Sequence, residues 1–284
     1  MMMRCFDCAC PTKIAEAVAL LAAHGGEAKP IAGGQSLVPM LAFRLAAPAL
    51  LIDLRKLDEL REIKIADTGV TLGAMVRWRD ILNERQLRHA HPLLIAAVEH
   101  IAHYQIRNRG TVGGSLAHAD PAAELPGVAV ACDGTIVVTG AKGERVIEAR
   151  HFFTGALSTA LADDELIVEL RLPAWPRERR WAFEEFSRRR GDFALAGIAA
   201  YYDVDADGTA SNAHIGVIGA CTRPHRIAQA EAALNGRRLD ARTIAQAAKA
   251  LEAALDAPSD LHASAAYRRS LAATLLERAL MRTL

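Results

Sequence analysis

Apolar residues change their spacing repeatedly along this chain, and each change marks an element. Phe6 to Cys10 reads as a short strand. Pro11-Thr12 opens a helix with Thr12 as N-cap; Ile14, Ala17, Val18 and Leu21 then share one face, and Gly25-Gly26 ends it. Ala28 to Ile31 returns as a strand, and Leu50 to Asp53 is another. Ile63 to Ile65 and Val70 to Leu72 form a hairpin about Asp67-Thr68-Gly69. Helical spacing follows in Arg77 to Asn83, then in Leu93 to Val98, running on through His100-Ile101-Ala102-His103.

Asp120-Pro121 joins a capping residue to a first-turn proline and predicts a helix from Pro121 to Ala131, with Glu124 one turn in. Thr135 to Thr139 and Glu144 to Ile147 make a second hairpin, and Leu166 to Leu172 a long strand. Pro173 to Pro176 with the basic run Arg177 to Arg180 reads as a linker. Beyond it lie strands at Trp181 to Phe186, Ala194 to Val204 and Ala213 to Ile218, then helices at Ile227 to Leu234, Ala241 to Leu255 and Ala265 to Leu284. Strands followed by helices suggest an α+β unit of its own.

Two glycine-rich stretches interrupt these periods. Ala32-Gly33-Gly34-Gln35-Ser36-Leu37 follows the strand Ala28 to Ile31, and Arg109-Gly110-Thr111-Val112-Gly113-Gly114-Ser115-Leu116 comes some seventy-five residues later. Adjacent glycines admit conformations that a Cβ blocks, and their N–H groups can converge on an anion. Neither stretch is a P-loop, since no Lys-Ser/Thr follows, and neither is a Rossmann G-x-G-x-x-G turn. Each alone could be a plain turn; together they could clamp one phosphorylated ligand from two sides.

The 284 residues suffice for two domains. Hydrophobic residues are 51 % and charged residues 24 %, and the net charge of +1 gives no reason to expect nucleic acid or a membrane surface as partner. No apolar run approaches the ~18 residues of a span, and no signal-peptide pattern follows Met1. Five cysteines, an odd count, fit reduced thiols in the cytoplasm. Cys5-x-x-Cys8-x-Cys10 has no second Cys pair or Cys-His pair to complete a metal site, so it reads as a strand whose small side chains face alternately in and out.

Across nearly its whole length the sequence resembles the FAD-binding medium subunit of molybdenum hydroxylases, the group of carbon monoxide dehydrogenase and xanthine dehydrogenase. The resemblance is carried, in order, by AGGQSLVPML (Ala32 to Leu41), RNRGTVGGSLAHADPAAELP (Arg107 to Pro126), FFTG (Phe152 to Gly155), DELIVELRLP (Asp164 to Pro173), RRGDFALAG (Arg189 to Gly197) and YRRSL (Tyr267 to Leu271). It implies an α+β protein. An FAD-binding domain at 1–175, like that of vanillyl-alcohol oxidase, would have subdomains at about 1–57 and 58–175. A C-terminal domain at 176–284 would hold a three-stranded antiparallel sheet and helices.

The same resemblance implies that Ala32, Gly33, Gly34, Gln35, Ser36 and Leu37 wrap the FAD diphosphate, with Thr111, Gly113, Gly114 and Ser115 as the other wall. Ile101 and Ile167 would be apolar flavin contacts, and Glu124 would stand where a ribityl-contacting carboxylate is commonly Asp. Glu185 lies near the place of a frequent lysine beside the flavin. No extra cysteine-bearing loop for a four-iron cluster is present.

Implied partners are a large subunit with a molybdenum–pterin cofactor and a small subunit with two-iron two-sulfur clusters, as a dimer of heterotrimers. NAD, a quinone, oxygen or another carrier would be the electron acceptor. Two other functions stand beside this one: a self-sufficient FAD-dependent oxidase or reductase, and a flavin-free assembly module. Arg177 to Arg180 and Arg188-Arg189-Arg190 read either as solvated faces or as docking surfaces, and Ala265 to Leu284 as domain core or subunit contact.

Overall fold

Parallel pairing opens the chain. Strands Asp7–Ala9 and Ala28–Ile31 flank Leu50–Asp53 in a three-stranded parallel sheet; the computed structural model describes residues 3–284. All four residues of the central strand are buried, as expected where both faces are covered. Helix Ile14–His24 crosses over and turns Ala17, Val18 and Leu21 into the core shared with this sheet. It ends at Gly25, whose φ of 50° is the left-handed C-cap conformation.

Two local expectations fail here. Thr12 is not the cap: Lys13 takes that position, and the Thr12 N–H donates to Glu16 Oε2 at 2.9 Å. The cysteine-bearing strand does not alternate in and out. It has only one neighbour, so Asp7 and Cys8 are exposed and Ala9 half-buried.

The second sheet is antiparallel, in the order Ile63–Ala66, Gly69–Gly73, Leu166–Pro173, Thr135–Gly140, Gly143–Glu148. Both predicted hairpins are present in register. Helices Trp78–Asn83, Pro92–His100, Val112–His118 and Glu124–Ala131 share its core, through residues such as Ile81, Leu94, Leu116 and Val128.

Three boundaries differ from expectation. The helix from Pro92 stops at His100, and Ala102 turns the chain at φ 41°. The second glycine stretch is not a turn but the start of Val112–His118, capped by Thr111. The next helix begins at Glu124 rather than Pro121, because the Asp120 carboxylate accepts from the Ala122 N–H at 2.9 Å and closes a turn instead.

The third sheet holds the three long strands expected, Arg180–Phe186, Ala196–Val204 and Thr209–Ile218, plus two-residue strands His225–Arg226 and Arg237–Arg238 added to the last. Alternation along the middle strand explains its burial. Ala196, Ile198, Ala200 and Tyr202 face a core built with helices Ala228–Leu234, Ala241–Ala254 and Ala265–Met281. Ala199 and Tyr201 join the core of the second sheet instead. Helix Glu124–Ala131 lies between the two sheets, with Ile218 against Gly127 and Ala131 against Gly216.

Among the described residues no helix is long and apolar enough to cross a membrane.

Candidate functional site

The glycine stretches meet. A Cβ at Gly33 would overlap the Arg109 carbonyl, and Arg109 Nε donates to the Gly33 carbonyl at 3.4 Å. Only a residue without a side chain permits this approach. Their junction forms part of the wall of a cavity of about 1170 Å³. Ala32, Gly33, Gly34, Gln35, Ser36, Leu37, Thr111, Gly113, Gly114, Ser115, Ile101, Glu124 and Ile167 all line it. Glu185 does not: it sits behind the wall, half-buried, in the strand Arg180–Phe186.

The two stretches are chemically unequal. Gly34 is held at φ 72°, which opens the turn into the short helix Leu37–Ala42. Among the described residues, no protein acceptor takes the N–H groups of Gly34, Gln35, Ser36 or Leu37. Gln35 spends its side-chain amide on its own turn, Nε2 donating to the Gly33 carbonyl at 2.9 Å.

On the other side the amides are already used. Val112 N–H donates to Val76 O at 2.9 Å and Gly113 N–H to Ala74 O at 2.8 Å, while Gly114 N–H donates to Thr111 Oγ1 at 3.1 Å. Gly113 serves packing, since its Cβ would lie 2.6 Å from that of Ala74. This second wall therefore offers the Ser115 and Thr111 hydroxyls and a smooth surface, not a nest of amides.

Apolar and titratable groups complete the cavity. Ile101 is buried at the bend after His100. Ile167 is placed by a bulge, the register shifting between Ile167 and Glu169. Bulges aim side chains into sites in this way. Burial pushes the Glu124 carboxyl up to about 7, helped by the charge of Asp120. Burial likewise pushes the Cys221 thiol up to about 12, and its Sγ donates to Val217 O at 3.6 Å, so this lining cysteine is not a thiolate nucleophile.

Sequence comparison decides the family. A profile described as "FAD binding domain in molybdopterin dehydrogenase" matches residues 4–175, and one described as "CO dehydrogenase flavoprotein C-terminal domain" matches 181–283. The chain belongs to the FAD-binding subunits of molybdenum hydroxylases.

Relatives in this family act on varied substrates. The 6-hydroxypseudooxynicotine dehydrogenase complex subunit alpha of Paenarthrobacter nicotinovorans is 40 % identical over 98 % of this chain and 94 % of its own length. Caffeine dehydrogenase subunit beta of Pseudomonas sp. strain CBB1 is 37 % identical over 98 % and 94 %. Carbon monoxide dehydrogenase of Hydrogenophaga pseudoflava, solved in a form lacking the Mo-pyranopterin moiety, superposes with a TM-score of 0.96 at 36 % identity, covering all of this chain and 98 % of that one.

The residues present fit an FAD. Among the described residues four amides in one glycine turn have no protein acceptor, which suits a diphosphate; a cavity of about 1170 Å³ has room for a dinucleotide, and Ile101 and Ile167 give apolar surface for a ring system. Several lining residues escaped sequence reasoning, among them Trp78, Phe193, Cys221 and Arg268. Phe193 and Arg268 fall inside the family motifs RRGDFALAG and YRRSL, so a signal existed without a role attached. Nothing in the spacing around Trp78 or Cys221 points to the cavity. Among the described residues no group of three or more His, Cys, Asp or Glu stands close enough to hold a metal ion.

Proposed function

We propose that this chain holds one FAD non-covalently in the cavity between its glycine stretches. In this reading it relays electrons from iron–sulfur clusters on a small partner subunit to an external acceptor, while a molybdenum–pterin site on a large partner subunit oxidises the substrate. The acceptor is NAD, a quinone, oxygen or another carrier, the assembly is a dimer of heterotrimers, and its home is the cytoplasm. The observation that carries this is the set of unpaired N–H groups at residues 34–37 on the wall of a cavity large enough for a dinucleotide.

Each wall then has a task. The amides of Gly34 to Leu37 bind diphosphate oxygens. The Ser115 and Thr111 hydroxyls orient the same group from the opposite side. Ile101 and Ile167 exclude water from the ring system, and Glu124 holds a proton or a hydrogen bond at the wall. When bound, FAD supplies two-electron storage that can be filled and emptied one electron at a time. No side chain of this subunit need donate or accept a proton at substrate, because substrate chemistry lies on another chain. Non-covalent attachment is the reading because neither glycine stretch holds a His or Cys, and the lining Cys221 thiol, its proton held by burial, donates to a backbone carbonyl.

Purified chain is expected to be yellow, with a flavin spectrum lost on acid precipitation as FAD passes into the supernatant. A colourless chain that takes up no added FAD contradicts the proposal. Turnover of an alcohol or enol by the single chain favours a self-sufficient oxidase, whereas co-purification with two partner chains favours the relay.

A further inference from the structure

Two carboxyls flank the seam where helix Glu124–Ala131 lies on the third sheet, near enough for the charge of Glu124 to act on Glu185. Glu124, 8 % exposed, stands first in that helix and lines the cavity. Glu185 lies behind the wall, and its Oε2 is buried without a hydrogen-bond partner.

Backbone geometry brings them together. Glu185 pairs across the sheet with Gly197, and its Cγ lies 3.5 Å from where a Gly197 Cβ would stand. Lacking that Cβ, Gly197 leaves room for the carboxylate stem. Gly197 pairs in turn with Ile218, the residue on which the helix rests at Gly127. Glu124 is one turn before Gly127 and so lies on the same helix face. The Gly219 N–H donates to Pro121 O at 2.8 Å and ties the approach to this helix to the same strand end.

Few other charges reach the pair. Asp120 faces Glu124 and raises its proton affinity further. Glu184, next along the strand, is engaged by Arg278 and Arg282. His100, on the adjacent helix, lies against Phe183 with ring centroids 4.9 Å apart. Arg268 is committed to the Leu195 and Gly219 carbonyls and to Asp260. Among the described residues no cation forms an ion pair with Glu124 or Glu185.

We propose that Glu124 and Glu185 form a coupled carboxyl pair, with Glu124 on the cavity wall and Glu185 behind it as its positioning residue, and that this pair makes FAD affinity fall as pH rises through neutrality. This rests on FAD occupying the cavity. Burial pushes Glu124 up to about 7, and burial with the charge of Glu124 pushes Glu185 up to about 8. Glu124 ionises first, and its charge then holds the proton on Glu185, as in any coupled pair. While neutral, the pair presents no charge to an anionic diphosphate and Glu124 can donate a hydrogen bond. Once ionised it repels the ligand across a poorly screened interior.

The test uses full-length chain freed of flavin. Infrared titration of the carboxyl stretch should show two steps between about pH 6 and 9 in the unsubstituted protein. Glu185→Gln should leave a single step near that of Glu124, and Glu124→Gln a single step below that of Glu185 before substitution. The Kd for FAD, read by flavin fluorescence, should weaken about tenfold from pH 6 to 8.5. In the double Gln variant it should change less than about twofold over the same range. Glu185→Asp, which keeps an ionisable group, should retain the slope. Two ionised carboxyls at pH 6, or a Kd that falls off as steeply with pH in the double Gln variant as in the unsubstituted protein, overturns the proposal. Carboxyl steps as described in a chain that binds no FAD at any pH would leave the pair standing and remove the cofactor reading.

Discussion

Gly33 is the residue on which the site turns. Its backbone touches that of Arg109, seventy-six positions away, so Gly33→Val must push the two walls apart. Loss of FAD binding is expected, with a stability cost of about 1–3 kcal/mol from overpacking, read by flavin fluorescence and urea unfolding. The sequence marked Gly33 and Gly114 as equals, yet a Cβ at Gly114 meets only Thr111 Oγ1, at 2.9 Å, and Ala32 Cβ, at 3.9 Å. The difference lay in long-range approach, which no local pattern encodes.

Arg268 is a second telling residue. It was visible as part of a motif, but its role depends on carbonyls at Leu195 and Gly219 and on Asp260, all distant or out of phase in sequence. Arg268→Met leaves those buried carbonyls unpaired and should cost about 3 kcal/mol in urea unfolding. The same guanidinium, with the N–H groups of Ala263 and His262, holds the Asp260 carboxyl well below its usual range.

At the scale of elements, the long periodic segments were legible and the caps were not. Strands with clean alternation and the three C-terminal helices lie where apolar spacing put them, because burial of one face decides them. The helix expected from Pro121 starts late since Asp120 bonds to its own turn, and the second glycine stretch proved helical since Thr111 caps it.

His91 shows the same local competition with a measurable consequence. Its Nδ1 accepts from the Leu94 N–H at 3.2 Å and caps the helix Pro92–His100. Burial, with the charge of Arg179 adding to it, pushes the imidazole down to about 3. The unfolded chain takes up this proton below about 6.5 and the folded chain does not, so stability falls as pH drops from that value towards 3. Asn can cap without titrating. His91→Asn should therefore move the acid unfolding midpoint, followed by circular dichroism, to lower pH.

For the whole molecule, a large cavity is lined from residues as far apart as Leu21 and Arg268. Its existence could be inferred from the sequence only through family resemblance, since periodicity reports which face is buried and not what space remains between faces. The resemblance likewise named the glycine stretches as two walls of one site, while the structure assigns the unpaired amides to the first alone. Glu124 and Glu185 act on global stability in the opposite sense to His91. The folded chain keeps their protons up to about 7 and about 8, whereas the unfolded chain releases them near 4.5. Stability should thus decline as pH rises across that window, and the Glu124→Gln, Glu185→Gln double variant should flatten the decline in thermal melts.

A crystal structure of the full chain grown with FAD tests the central claim most directly. One FAD is expected in the cavity, with diphosphate oxygens within about 3 Å of N–H groups among Gly34 to Leu37 and the Ser115 hydroxyl facing them across the ligand. Density for FAD elsewhere, or a diphosphate seated away from those amides, would contradict it.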